Sequence, residues 1–254
     1  MMKIISYFFS SIFVIFFSLV LIIFHPLQWL GLKLFGYKGH KFFVDLMNLM
    51  LMRTTLFLGI HTKFDNEFPL KEGVTYLFVA NHQSTFDIAP LSWYFRKHHP
   101  KFVSKVELSK GIPSVSFNLR HGGSVLIDRK KGGSALKELL GFGKKLNKNK
   151  WSSVIFPEGT RSRNGVPKEF SANGLKVLTK TNPEAYVVPI TINNSWCAFK
   201  YGKFPLGLFK TITFKTHEPI KVNSMKFEEL LEKTETTIKK NINQTLNVKP
   251  KSKH

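Results

Sequence analysis

Residues 74–87 read VTYLFVANHQSTFD, seven residues rich in β-branched and aromatic side chains followed at once by a polar run. An apolar run without polar alternation predicts a strand covered on both faces, as in a parallel sheet. The polar run opens a helical pattern over 85–96, so the stretch reads as strand, turn and helix. The same alternation continues outward. Further strands are predicted at 102–104, 124–127, 153–156, 187–192 and 212–215, with helices at 134–146 and 171–179. The fold class is therefore α/β, a mostly parallel sheet flanked by helices, in which loops leaving the strand ends carry the chemistry. Pro189 interrupts one predicted strand and is expected at an edge or a first position. Near the C-terminus Phe227, Leu230, Leu231, Ile238, Ile242 and Leu246 recur at helical spacing and predict an amphipathic helix, after which KPKSKH is basic and expected to be disordered.

The chain of 254 residues carries 38 Lys and Arg against 16 Asp and Glu, a net charge of +22. Such an excess calls for an anionic partner: nucleic acid, anionic lipid or a phosphorylated substrate. The 25 phenylalanines, many of them in the first 60 residues, favour a membrane surface, and no module that interleaves basic and aromatic residues supports nucleic acid. Cys197 is the one cysteine, which excludes an intramolecular disulfide and a cysteine-based zinc cluster, and it reads as a small buried hydrophobe.

The apolar stretch 4–24, IISYFFSSIFVIFFSLVLIIF, is about 30 Å long as a helix and so reaches across a bilayer core. It exceeds a signal-peptide core and no small-residue cleavage site follows, so it is expected to be a retained anchor. Lys3 precedes it while Lys33, Lys38, Lys41 and Arg53 follow, which places the remainder on the cytoplasmic side of the membrane. A second apolar segment, 42–60, carries Asp45, Asn48 and Thr55, costly in a bilayer core. It is expected to lie in the interface or to pack between membrane and domain, with a two-span hairpin as the alternative. Two regions follow: 1–64, transmembrane and interfacial helices, and 65–254, the α/β domain with its C-terminal amphipathic helix.

At the predicted strand-to-helix turn His82 and Asp87 stand five positions apart. Across such a turn the carboxylate folds back onto one imidazole nitrogen, fixes the tautomer and leaves the other nitrogen to take a proton. After the strand ending at Phe156 comes PEGTRSRNG, residues 157–165, a basic glycine-containing loop suited to phosphate. Arg161 offers a bidentate fork, Gly159 a close backbone approach, and Glu158 a brace for an arginine or for the loop itself. Lys105, and Arg129 at the end of GSVLIDR, place further cations near strand ends.

Four blocks, NHQSTFD, Gly123–Arg129, FPEGTRSR and VVPI, resemble in order and spacing those of the glycerolipid acyltransferase family that includes the 1-acyl-glycerol-3-phosphate acyltransferases. The resemblance covers roughly residues 74–192. It implies that His82 and Asp87 are catalytic and that the third block binds the acceptor phosphate, through Arg161 and, less directly, Gly159, Thr160 and Glu158. Lys105 and Arg129 rank second for the same anion. No Gly-x-Ser-x-Gly elbow occurs, so the acceptor's own hydroxyl is expected to attack an acyl thioester directly, with His82 as general base. Backbone amides just after His82 are the expected oxyanion donors. The expected reaction is acylation of the 2-hydroxyl of lysophosphatidic acid to phosphatidic acid, the donor being acyl-CoA or acyl carrier protein. Another lysophospholipid or a lyso-aminolipid is an alternative acceptor; a non-enzymatic anchor for anionic lipid and a lipid hydrolase are the alternatives in other classes. Without paired-histidine spacing or a role for a cation, neither a metal nor a cofactor beyond the donor is expected. The expected partners are membrane lipids, the lysophospholipid acceptor and the donor, not nucleic acid.

Overall fold

The computed structural model describes residues 2–128 and 132–243. Arg129, Leu246 and the KPKSKH tail lie outside the described residues. The strands are β1 (His61–Asp65), β2 (Tyr76–Ala80), β3 (Pro100–Lys105), β4 (Val125–Ile127), β5 (Ser152–Ile155), β6 (Tyr186–Asn193), β7 (Thr211–Thr216) and β8 (Ile220–Lys221). The α-helices are α1 (Met2–Thr54), α2 (Ile88–Tyr94), α3 (Val115–His121), α4 (Gly132–Asn149), α5 (Ala172–Thr181) and α6 (Phe227–Lys240). One sheet orders the strands β1-β7-β6-β2-β5-β3-β4, with β8 pairing β6. Pairings β2–β5, β2–β6, β3–β5 and β3–β4 are parallel, while β7 and β8 run antiparallel to β6. This is the mostly parallel sheet expected.

Every residue of β2 is buried, as its unbroken apolar run requires. Tyr76, Phe78 and Ala80 enter a core with Leu91, Phe95 and Phe13, while Leu77 and Val79 enter a second with Leu139, Leu146, Leu175 and Leu230. The pleat thus splits one strand between two layers: α1 and α2 cover one face, and α4, α5 and α6 the other.

Three elements went unexpected. In β1 the sequence HTKFD is mostly polar and half exposed, an edge strand without apolar alternation. It pairs with β7 and straddles the expected boundary at 64/65, so the N-terminal region shares the sheet rather than preceding it. The two-residue β8 and the seven-residue α3 are too short for a periodic signal. Pro189 departs from expectation as well, lying inside β6 between two neighbouring strands. On that side β6 changes partner, from β8 at Tyr186 and Val187 to β7 from Ile190 onward. The His217 N–H donates to the Pro189 carbonyl at 3.0 Å, and the return bond that proline cannot make falls at the changeover.

The second apolar segment forms the returning arm of a helical hairpin that packs against the domain near Ala89 and Val115. Helix α1 breaks at Gly36 (φ 59, ψ −144), and the two arms fold back on each other. Leu21 and Phe24 pack with Met47 and Leu51, Phe16 stacks on Phe57 at 4.5 Å, and Gln28 Nε2 meets Met47 Sδ at 3.1 Å. Near the bend a Cβ on Gly39 would stand 2.4 Å from the Gly31 carbonyl oxygen, so only glycine admits this approach. The polar groups that argued against a hairpin are satisfied within it: Asp45 pairs with Lys41, Asn48 donates to the Val44 carbonyl at 2.8 Å, and Thr55 to that of Met52 at 2.8 Å.

The hairpin has its polarity inside out. Ser6, Ser10 and Gln28 are buried, whereas Ile4, Phe8, Ile15, Ile22 and Phe35 are exposed. The inward side docks on the domain: Phe13 meets Phe86 at 5.5 Å, Ser10 Oγ accepts from Leu206 N at 2.8 Å, and Ser114 N donates to His25 Nδ1 at 3.0 Å. At the bend Lys101 donates to the Tyr37 hydroxyl at 2.9 Å and lies against the stacked Tyr37 and Trp151 rings, 4.7 and 4.6 Å from their centres. Burial and the nearby Lys41 push the Lys101 ammonium down to about 7, against which the two ring faces favour its charged form. By length and composition this apolar helix is a candidate membrane anchor.

Candidate active site

Strand β2 ends at Ala80 in the middle of the sheet, so the next residues emerge between β5 and β6. The turn closes on itself through Asp87, which is fully buried. Its Oδ2 accepts from His82 Nδ1 at 2.8 Å, Gln83 N at 2.7 Å and Ser84 N at 2.9 Å, and Ser84 Oγ accepts from Phe86 N at 3.0 Å. This capping box starts the 3₁₀ turn Thr85–Asp87 and explains the spacing of four intervening residues: one turn brings the carboxylate back under the imidazole. An oxygen taking two N–H donors is an acceptor towards the third, so Nδ1 carries the proton and Nε2 presents its lone pair. The His82 ring stacks on Phe156 at 4.0 Å and lines an open cleft of ≈1620 Å³.

Residues on both sides of His82 are fastened to the end of β6. The Asn81 side chain donates to Ile192 O at 2.8 Å and accepts from Ile192 N at 2.7 Å. Gln83 Oε1 accepts from Ser195 N at 2.9 Å, and Ser84 Oγ meets Ser195 Oγ at 2.5 Å. The basic loop grips the main chain of His82 itself, since Glu158 Oε1 accepts from His82 N at 2.8 Å and Ser162 N donates to His82 O at 2.7 Å. Glu158 Oε2 accepts from Lys168 N at 2.8 Å. Glu158 is thus the loop brace that the sequence allows, holding the turn and both limbs of the loop together.

Burial raises the Glu158 carboxyl above its ordinary range, so the ionised form that accepts both amides is lost at a higher pH than for a free carboxylate. The expected result for Glu158→Gln is a fall in kcat/KM of about 10–100-fold, because an amide NH₂ would face one of the two N–H donors. It should also move the acid limb of the pH–rate profile. A variant with wild-type rate and acid limb would show that the brace does not matter.

Arg161 donates from Nη1 to Thr85 Oγ1 at 2.7 Å, which leans it over the start of the turn from the far side of the cleft. Lys105, Gly159, Thr160 and Arg161 all line the cleft with His82. Gly159 takes φ 68, a left-handed conformation that suits glycine. Lys168, which donates to Thr160 Oγ1, and Arg163 add cations that the sequence reading missed, although Arg163 lies within the quoted block. The cleft also has an apolar lining that includes Val103, Ile127, Leu139, Ile155 and Val177. Among the amides just after His82, those of Gln83, Ser84 and Phe86 are already bonded to Asp87 and Ser84. Cys197 is buried away from the cleft, and burial pushes its thiol up. Among the described residues no group of three or more His, Cys, Asp or Glu is placed to hold a metal ion.

A turn of this kind, on the central strand of a parallel sheet and facing a basic loop, defines an acyltransferase-type site. The Acyltransferase family model matches residues 61–193, more than half of the 254, and this chain belongs to that family. The chain is 30% identical over 164 residues to the 1-acyl-sn-glycerol-3-phosphate acyltransferase of Helicobacter pylori, covering 62% of this chain and 65% of that one. It is likewise 30% identical over 158 residues to the Saccharomyces cerevisiae enzyme of the same name, covering 60% and 50%. The match thus spans from half to just under two thirds of these relatives' length. The crystal structure of the 1-acyl-sn-glycerophosphate (LPA) acyltransferase PlsC from Thermotoga maritima superposes with a TM-score of 0.76 at 23% identity, covering 94% of this chain and 95% of that one. That likeness extends the shared fold through the helical hairpin.

Proposed function

We propose that this protein is an O-acyltransferase that moves a fatty acyl group from an acyl thioester, acyl-CoA or acyl carrier protein, to the 2-hydroxyl of lysophosphatidic acid. The observation that carries the reading is His82 Nδ1 bonded to Asp87 Oδ2 at 2.8 Å, with the ring in a cleft that Arg161 also lines. His82 Nε2 takes the acceptor's hydroxyl proton as its oxygen attacks the thioester carbonyl, and Asp87 stabilises the imidazolium. The tetrahedral intermediate collapses, the C–S bond breaks, and the proton passes from His82 to the leaving thiolate. Direct transfer is supported because, among the described residues, no serine or cysteine side chain hydrogen-bonds to the His82 imidazole. Arg161, with Lys105, Gly159 and Thr160 around it, binds the acceptor phosphate, and the apolar lining receives an acyl chain.

The outward apolar face of the hairpin seats the domain on the membrane, on the cytoplasmic side, where a lipid acceptor is at hand. The test is transfer from labelled acyl thioester by membranes carrying the protein, across a panel of lysolipids. Phosphatidic acid should form fastest from lysophosphatidate. Preference for another lysophospholipid would reassign the acceptor, and release of free fatty acid without acceptor would indicate a hydrolase.

A further inference from the structure

We infer that the loop between β3 and α3, residues 106–113, is a second membrane contact that presses the mouth of the cleft onto a bilayer containing anionic lipid. Val106, Leu108 and Ile112 are 38, 40 and 36% exposed, and Pro113 is exposed beside them. A soluble domain has little reason to hold four apolar side chains in water on one short loop. Nor is the loop slack. Ser116 Oγ donates to Leu108 O at 3.0 Å and accepts from Ile112 N at 3.1 Å, and Arg120 donates to Ser109 O. Ser114, at the loop's base, takes φ 60, which L residues rarely adopt. It is held there by donating from N to His25 Nδ1 at 3.0 Å and from Oγ to Leu21 O on the hairpin. A strained residue fixed by two bonds marks a position that the surroundings over-determine.

Those two bonds also say what covers the loop. Leu21 is followed on the hairpin by Ile22 and Ile23, exposed by 57 and 54%, so the loop's apolar side chains continue the hairpin's outward face. Lys105 before the loop and Lys110 within it are exposed cations in a chain of net charge +22, the complement of an anionic headgroup layer. Lys105, Glu107 and Leu108 form part of the cleft wall, so a loop dipped into the headgroup region opens the cleft to lipid rather than to water. The inference rests on the proposed seating of the hairpin in a bilayer.

The full-length protein, with Cys197→Ser, is labelled with an environment-sensitive fluorophore at Ile112→Cys, Ile22→Cys or Lys144→Cys. Each is reconstituted with phosphatidylcholine–phosphatidylglycerol vesicles containing a brominated-lipid quencher. Labels at 22 and 112 should be quenched and the label at 144, on α4, should not. Quenching at 22 without quenching at 112 overturns the loop contact while leaving the hairpin reading in place. Quenching at neither overturns both. In a second arm, Val106→Glu with Ile112→Glu should lower transfer to a long-chain acceptor in vesicles about tenfold and leave transfer to a short-chain soluble acceptor within about twofold. Equal loss on both acceptors, or no loss on either, counts against the contact.

Discussion

Replacing His82 by alanine will lower kcat by about three to four orders of magnitude while the protein stays folded. The imidazole is the group on the turn with a lone pair facing the cleft, and its ring stacks on Phe156 at the cleft surface rather than in either buried core. Asp87→Asn should act on rate to a similar extent but for a different reason. Asp87 Oδ2 serves three donors, His82 Nδ1 among them, so an asparagine with its oxygen there keeps the bonds but loses the negative charge and puts its NH₂ where Oδ1 is buried without a protein partner. The imidazolium formed by proton transfer then has no counter-charge beside it, which raises the barrier. Single-turnover acyl transfer with far-UV circular dichroism measures both effects; full transfer by the folded His82→Ala protein would sink the mechanism.

Arg161→Ala should raise KM for lysophosphatidate about 10–100-fold with a smaller change in kcat, since a guanidinium that binds the phosphate equally in ground and transition states contributes uniform binding. Arg161→Lys should recover part of the loss, because a lysine supplies the charge without the two-pronged fork. An acceptor without phosphate, such as a monoacylglycerol, should be insensitive to both substitutions. If its KM rises in parallel, the arginine acts through its bond to Thr85 Oγ1 at 2.7 Å and not on phosphate.

The legible part of this molecule was the part where local pattern and tertiary role coincide. VTYLFVA announces a doubly covered strand because both of its faces are covered, and the His82–Asp87 pair follows from a single turn of chain. The basic loop was legible as a place for anions, and its grip on His82 was not. That grip depends on Glu158 and Ser162 meeting the main chain of a residue some 76 positions away, which leaves no trace in periodicity. Asn81, Gln83 and Ser84 were quoted only as neighbours of the histidine, yet their side chains tie it to β6 over separations of 111 and 112 positions. Asp45, Asn48 and Thr55, costly in lipid when unpaired, each find a partner within the hairpin, which residue type alone does not show. The bend itself rests on Gly31, Gly36 and Gly39, whose meaning emerges only when two backbones touch.

The inverted hairpin also means that this chain does not come apart into a detachable tether and a free-standing enzyme. Phe13 fills a place in the same core as Phe78, Phe86 and Leu91, so cutting the chain before β1 would uncover the floor beneath the histidine turn. Tether and enzyme are one body, and a shortened, water-soluble version would have to be given a new lid over Phe86 before it could keep His82 where it now stands.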